Sequence, residues 1–397
     1  MTIISLIALL FCTLTLGYLF FLALASMRSA SLPTARARHP SHRFIIAIPA
    51  HNEANVIEAT VRQLRTLDYP SNLFSVHVVA DHCSDNTAVL ARKAGAFVQE
   101  RNEGPRTGKG AALSWLFQRV LDDECDAVVI FDSDTQVAAD FLRIMDARLA
   151  QGDQAIQGQH VISNPEDGWF PALTWAMFLI DNRFQNLGRA NLGWSAKHMG
   201  DSICFRADVL RKMGWGKGLA EDYQLRQRLL LEGIKITYEP AAIGCGEAPY
   251  TWAQARAQRA RWLRGTRDAS RRLARHLLAQ GLKRRDTALL DGALQAYLPS
   301  YSTLTLIAAA CLLIQVLVNL SVKAIFPWTL IGAWFAALCA LFAYPLGGLA
   351  LEKAPLKAYL MILSGPVFIL WRTWLALVAR FGHKSVMWIR TAHGGQE

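Results

Sequence analysis

Asp132-Ser133-Asp134 follows the apolar run 127–131 directly. Two carboxylates one residue apart at a strand end suit a hard divalent ion. Such an ion bridges two phosphates and neutralises a departing diphosphate. An Asp-rich turn explains the same residues equally well, so the motif gains weight only from its neighbours. The run 74–80 ends in Asp81, within Asp81-His82-Cys83-Ser84-Asp85-Asn86-Thr87. A carboxylate there can accept hydrogen bonds from a base or ribose, and Ser84 or Asp85 can cap the next helix. The run 44–48 ends in Pro49-Ala50-His51-Asn52-Glu53. In open parallel sheets, ligands gather beyond the carboxyl ends of strands. Three acidic strand ends in one region therefore crowd one edge of a sheet.

Gly104-Pro105-Arg106-Thr107-Gly108-Lys109-Gly110 resembles a phosphate loop but is not a P-loop. Its glycines stand one residue too close, and Gly110 replaces the hydroxyl that would meet magnesium. A Gly-rich turn with Lys109 ahead of a helix still suits phosphate. Glu221-Asp222 opens a helical stretch. A carboxylate there could take the proton of an attacking hydroxyl, although acidic residues also favour first turns for dipole reasons. Gln258-Arg259-Ala260-Arg261-Trp262 lies in the arginine-rich stretch 252–273, which also carries Trp252. One face of such a helix can rest on lipid while Arg261 and Trp262 meet phosphate and sugar.

The elements that position these residues follow from hydrophobic patterning. Strand-length runs at 44–48, 74–80, 127–131 and 234–238 alternate with helical patterns at 53–67, 87–94 and 109–121. That alternation predicts an α/β domain with a mainly parallel sheet. Hydrophobic residues make up 52% of the 397-residue chain and charged ones 18%, which directs attention to membrane spans. The run 3–26 has no charge and predicts an anchor rather than a cleaved signal, since no basic residue precedes it. Arg28, Arg36, Arg38 and Arg43 follow, which places this flank in the cytosol by the positive-inside rule. Further apolar runs occupy 297–322, 325–351 and 356–381. Three full crossings after a cytosolic domain would leave the C-terminal tail outside, yet Arg380, His383, Lys384 and Arg390 argue for a cytosolic tail. A re-entrant or interfacial third segment resolves the conflict. The organisation expected is an anchor at 1–27, a cytosolic domain at 40–250, interfacial helices at 251–296 and a membrane region at 297–397.

A formal net charge of +11 suits anionic headgroups and phosphorylated substrates. No nucleic-acid-binding motif is recognisable, and the arginine-rich helix adjoins membrane segments. The seven cysteines are scattered without a CxxC pair, against both a disulfide framework and a zinc site.

These motifs, in this order, resemble the family-2 glycosyltransferases, especially the membrane-integrated branch with cellulose, chitin and hyaluronan synthases. The resemblance covers about residues 44–270. It implies a GT-A fold, a nucleotide-sugar donor (typically a UDP-sugar) and Mg²⁺ or Mn²⁺. Carried over, Pro49, Ala50, Glu53 and Asp81 line the nucleotide pocket, with Lys109 near it. Asp132 contacts the donor sugar and Asp134 holds the metal. Asp222 is the general base, and Gln258, Arg261 and Trp262 match a Gln-x-x-Arg-Trp motif near diphosphate and acceptor. Glu221, Asp201 and Trp262 are expected at the acceptor, although His198-Met199-Gly200-Asp201-Ser202 departs from the family's Gly-Asn-Gly-like loop. The tail Trp388-Ile389-Arg390-Thr391 resembles a cytosolic Trp-x-x-Thr segment. The activity implied is inverting transfer of a hexosyl or N-acetylhexosaminyl group to a polysaccharide or lipid-linked acceptor at a bacterial inner membrane. Single addition to a polyprenyl-linked glycolipid is one alternative. A non-catalytic scaffold that binds nucleotide-sugar is another.

Overall fold

The computed structural model describes residues 2–28, 36–37, 39–121, 124–216, 218–321 and 325–381. Helix α1 (Thr2–Ser26) precedes β1 (Phe44–Ala50), α2 (Ile57–Leu64), β2 (Phe74–Asp81), α3 (Thr87–Lys93), β3 (Phe97–Arg101), α4 (Lys109–Val120) and β4 (Ala127–Ile130). Next come β5 (Gln136–Val137), α5 (Phe141–Ala150), β6 (Ala155–Ile162), α6 (Trp169–Ile180), a π-helical stretch (Asp181–Leu187) and α7 (Gly188–Asn191). They are followed by β7 (Ile203–Arg206), α8 (Ala207–Met213), α9 (Glu221–Leu231) and β8 (Ile236–Gly246). The rest is helical: α10 (Trp252–Arg284), α11 (Thr287–Tyr297), α12 (Tyr301–Ser321), α13 (Trp328–Leu351), α14 (Leu356–Leu363) and α15 (Gly365–Phe381).

Among the described residues the strands form one sheet in the order β3-β2-β1-β4-β7-β6-β8-β5. The first four are mutually parallel, which brings the ends of β1, β2 and β4 to one edge. Strand β7 is antiparallel to both β4 and β6, so the sheet is mixed although mostly parallel. Both faces are covered. Ile46, Ile48, Val78 and Val129 face one apolar layer, while Ile45, Ala47, Val79, Val128 and Ile130 face the other. Period-two alternation of apolar side chains on both faces explains why these strands read as unbroken apolar runs.

Helices α1, α12 and α13 are each long and apolar enough to cross a membrane. Helix α1 turns Ile3, Ile4, Ile7 and Leu14 outward, each more than 60% exposed. At roughly 25 cal/mol per Å² that surface disfavours water and suits lipid. The third C-terminal run is bent by 51° between α14 and α15, as a broken span or a re-entrant segment would be. Arg36 and Arg43 pair with Asp140 and Glu124 of the α/β domain. Arg38, His383, Lys384 and the Trp388–Thr391 tail lie outside the described residues.

A buried ion network joins α1 to the sheet domain. The Asp291 carboxylate accepts from Tyr18 Oη at 2.6 Å, Arg189 Nε at 2.9 Å and Arg226 Nη2 at 3.3 Å. Asp291, Arg189 and Arg226 are at most 1% exposed. Removing the one anion would strand two buried guanidiniums, a loss of about 3–5 kcal/mol. Asp286, by contrast, only caps α11 through the amides of Ala288 and Leu289, which is worth about 1 kcal/mol. Asp291→Ala is therefore expected to lower the thermal midpoint in detergent several times as far as Asp286→Ala. Equal losses would show that the network contributes nothing beyond a surface cap.

Candidate active site

The sheet edge gathers the acidic residues but gives them different tasks. Asp81 is buried at the end of β2, and its Oδ1 accepts from Arg101 Nη1 at 2.5 Å and bonds His82 Nδ1 at 2.9 Å. Among the described residues its Oδ2 makes no hydrogen bond, leaving one oxygen for a donor such as a nucleobase N–H. Asp85, not Ser84, starts α3: its carboxylate accepts from the Thr87 amide at 3.0 Å. Glu53 is 5% exposed, and its amide donates to Thr87 Oγ1 at 2.7 Å. The Ala50 side chain belongs to the core, so only its backbone lies at the edge; Pro49 pairs with Val79 in the β1–β2 ladder. β1 alternation turns the Ala50 side chain inward, so a contact to the donor at this position would be made by its backbone.

The Asp132-Ser133-Asp134 turn is held from four sides. Thr60 Oγ1 donates to the Ser133 carbonyl at 2.7 Å, and the Glu247 amide donates to Asp134 Oδ2 at 3.1 Å. Lys109 Nζ donates to the Asp132 carboxylate and, at 2.6 Å, to the Gly200 carbonyl. Burial works against the charge of Lys109, but Asp132, Asp201 and Glu221 together raise its pKa. Lys109 thus braces the turn against the 200 loop.

Asp201 completes the brace and corrects an expectation. It is 2% exposed, and both oxygens are committed. Oδ1 accepts from the Asp132 amide at 2.9 Å and Thr135 Oγ1 at 3.2 Å; Oδ2 bonds His160 Nδ1 at 2.7 Å and Ser202 Oγ at 3.0 Å. A carboxylate so buried and so occupied is not available to an acceptor sugar. Burial alone would raise its pKa, yet the His160 bond and the surrounding positive charge lower it to about 2. His160 and Gly265 border the site and were missed by motif reading. The polar run Gln157-Gly158-Gln159-His160 inside a strand was the available signal for the first.

Glu221 and Asp222 sit at the start of α9. Glu221 is 6% exposed and so tight against α4 that a Cβ on Gly110 would lie 2.9 Å from its Cγ. It is packed inward, which corrects its expected role at the acceptor. Asp222 is half-buried. Its Oδ1 accepts from the Tyr223 amide at 2.7 Å, and a Cβ on Gly200 (φ +85°) would lie 3.4 Å from its Oδ2. Burial raises the pKa of Asp222 above the ordinary carboxylate range. Helix α10 closes this side. Its N-terminus carries a capping box between Thr251 and Gln254, which satisfies orphan amides. Arg261 Nη1 donates to the Leu219 carbonyl at 3.2 Å, and its charge acts on both Glu221 and Asp222. Gln258 is half-buried on the same helix, and Trp262 is 36% exposed. Gly265 permits the approach: a Cβ there would stand 2.4 Å from the Ala220 amide nitrogen.

Among the described residues no three His, Cys, Asp or Glu side chains converge as a metal cage. Asp134 offers a half-buried carboxylate beside the turn. That donor set fits Mg²⁺ or Mn²⁺ held by one or two carboxylates, with donor phosphates and water completing the shell.

Comparisons with known proteins bear on the family and the fold. A family profile described as "Glycosyltransferase like family 2" matches residues 40–265. The probable glycosyltransferase YdaM of Bacillus subtilis is 29% identical over 237 residues, covering 55% of this chain and 54% of that protein. A beta-monoglucosyldiacylglycerol synthase of Trichormus variabilis is 28% identical over 271 residues, covering 63% of this chain and 56% of that one. The chain thus spans about half the length of the curated relatives it matches. A mannosyltransferase of Pyrobaculum calidifontis, solved in complex with GDP-Man and Mn²⁺, shares the fold. Its TM-score is 0.57 at 17% identity, over 96% of this chain and 99% of that chain.

The His160–Asp201 pair gives a pH prediction. Burial disfavours the imidazolium, but the hydrogen bond to and charge of Asp201 raise the His160 pKa above its ordinary value. The pair's stabilisation is therefore full below about pH 6.5 and is lost as pH rises through the raised value. In metal-free buffer the thermal midpoint should fall through that window. Asp201→Asn should remove this component and also lower the midpoint by leaving buried donors unpaired. A wild-type-like pH profile in Asp201→Asn would refute the pairing.

Proposed function

The chain belongs to the family-2 glycosyltransferases, and from that premise we propose that it is an inverting transferase acting at a membrane. It moves a hexosyl or N-acetylhexosaminyl group from a nucleotide-sugar, with a UDP-sugar as the donor expected, to a lipid-linked or polysaccharide acceptor. The observation that carries this reading is the placement of Asp222. It stands beside Gly200, whose carbonyl Lys109 ties to the Asp132 turn, and beneath the α10 segment that carries Arg261.

In the reaction proposed, the acceptor hydroxyl attacks the anomeric carbon from the face opposite the diphosphate. The new C–O bond forms as the bond to the diphosphate oxygen breaks, and the hydroxyl proton passes to Asp222. A raised pKa makes Asp222 a stronger base than an exposed carboxylate. Arg261 supplies positive charge on this side of the site, suited to the departing diphosphate. A divalent ion held by Asp134 would neutralise further charge on that leaving group. Trp262, half open to solvent, offers an aromatic face to the acceptor sugar.

Single addition to a lipid is the form of this reaction we favour over polymerisation. Similarity to glucosyldiacylglycerol synthases and the small number of candidate spans support it. Membrane lipid is then both surroundings and substrate. The bacterial inner membrane, with the α/β domain in the cytosol, is the location proposed.

Purified protein in detergent, supplied with UDP- and GDP-sugars, Mg²⁺ or Mn²⁺ and lipid acceptors, should turn over one donor. Asp222→Asn should lower transfer by at least about 100-fold while leaving donor affinity intact. Normal turnover in that variant would remove Asp222 as the base. Asp134→Ala should weaken donor binding in the presence of metal, and an unchanged metal dependence would refute its assignment. Because Asp222 must be ionised, kcat should fall as pH drops through its raised pKa. An acid limb at the ordinary Asp value would contradict that.

A further inference from the structure

Helix α10 meets α15 and α6 in a seam where arginines gather without a carboxylate in ion-pair contact, Asp181 at the end of α6 acting on Arg372 only through its charge. The guanidinium carbon of Arg259 lies 5.4 Å from the Phe170 ring centroid and 4.9 Å from that of Phe368. Its Nε is buried and has no hydrogen-bond acceptor. Arg372 of α15 is close enough that its charge, added to burial, lowers the Arg259 pKa to about 9. One turn before Arg259, the Arg256 guanidinium stands 5.7 Å from the Trp374 ring. Helices α6 and α15 contain no acidic residue, and the sole one in α10 is Asp268, beyond the seam. Among the described residues no carboxylate pairs with Arg256, Arg259 or Arg372.

A buried guanidinium with an unsatisfied N–H is costly unless an anion joins it. Aromatic faces compensate only part of that cost. Two adjacent guanidiniums fit the planar, multidentate recognition of phosphate. The surroundings indicate where such a phosphate would come from. Val367, Leu370 and Trp374 expose between 49% and 62% of their surface along α15, an apolar lane that runs beside the arginines. A free phosphate gains nothing from that lane, whereas an acyl or prenyl chain does.

We propose that the α10–α15 seam binds the phosphate of a membrane lipid, held by Arg259 and Arg372, with its chain laid along α15. Trp262 lies three residues beyond Arg259, about 4.5 Å along the helix axis. A phosphate seated in the seam would place the lipid head about one turn from Trp262 and Arg261. The seam thus gives the acceptor its chemical class, a phospholipid whose head group carries the attacking hydroxyl. That assignment of acceptor class rests on the transferase reading above, although the binding site itself does not.

The test is native mass spectrometry of the full chain in non-ionic detergent, with farnesyl phosphate, farnesol and inorganic phosphate as probes. Farnesyl phosphate should bind one to one, at least tenfold tighter than farnesol, and inorganic phosphate at equal concentration should not displace it. Arg259→Gln and Arg372→Gln should each weaken it at least tenfold, while Arg271→Gln, on the exposed face of α10, should not. Without ligand, Arg259→Gln should unfold no earlier than wild type, since it removes an uncompensated charge. Equal binding of farnesol, displacement by inorganic phosphate, or unchanged binding in both arginine variants would overturn the proposal. So would an early-unfolding Arg259→Gln whose folded fraction binds farnesyl phosphate normally. Binding needs no donor, so the two readings fail separately. Retained farnesyl phosphate binding in a chain without transferase activity would keep the seam and discard the reaction.

Discussion

One buried carboxylate, Asp201, fixes the geometry on which the site depends. It joins the backbone of the Asp132 turn, the Thr135 hydroxyl, the β6 residue His160 and its own neighbour Ser202. Lys109 adds a second brace from the turn to the Gly200 carbonyl. The carboxyl end of β4, the start of α4 and the loop beside Asp222 therefore move as one body. A site that stabilises developing charge needs its groups fixed before reaction, and fully satisfied polar networks provide that rigidity.

Two aspartates within this small volume are driven in opposite directions. Asp201 and Asp222 are both removed from solvent, which by itself raises a carboxylate pKa. Asp201 meets His160 and Lys109 at close range, so it is held as the anion at any ordinary pH. Asp222 has only backbone donors and the charges of Arg261 and Lys109 to favour its anion, and burial prevails. The divergence separates a structural anion from a group able to take up a proton. Gly200 contributes through its backbone, since its positive φ is strained for any other residue and places the loop in contact with Asp222.

Strands β1, β2 and β4 of the parallel half were legible because strands buried on both faces become apolar runs; the edge strand β3 was not, since Phe97–Arg101 is half polar and largely exposed. The antiparallel β7 was not: Ile203–Arg206 is short and lacks turn signals that would set its direction. Helix α6 was also missed, because a twelve-residue apolar segment inside an α/β domain resembles a core strand as much as a helix. Asp132, Asp134, Asp222 and the Gln258–Trp262 motif could be singled out as candidates from type and order. The direction of a side chain could not. Glu221 and Asp222 are adjacent in sequence, yet one packs against Gly110 and the other borders Gly200. Asp201 lay in the expected loop but turns beneath it. Gly265 carries no chemical signal, and its importance follows only from the 2.4 Å that a Cβ would leave to Ala220.

The catalytic geometry and the apolar helices are not independent parts. Arg226 lies one helical turn after Asp222 on α9, and it is bound through Asp291 to Tyr18 of α1. Arg189, on the same carboxylate, follows the helical stretch begun by α6. Gln185 of that stretch also donates to Tyr344 of α13 at 2.8 Å. On the opposite flank, α10 presses Gly265 against the loop before Glu221 and continues towards α15 through Trp252 and Trp371. Helix α9, which bears Asp222, is thus gripped on two sides by elements that lead into the apolar layer. Were the α/β domain separated from those helices, the two arginines would lose their counter-ion and α10 its seat. The site is better described as one end of a helical assembly that contains the candidate membrane spans than as an independent domain on a tether.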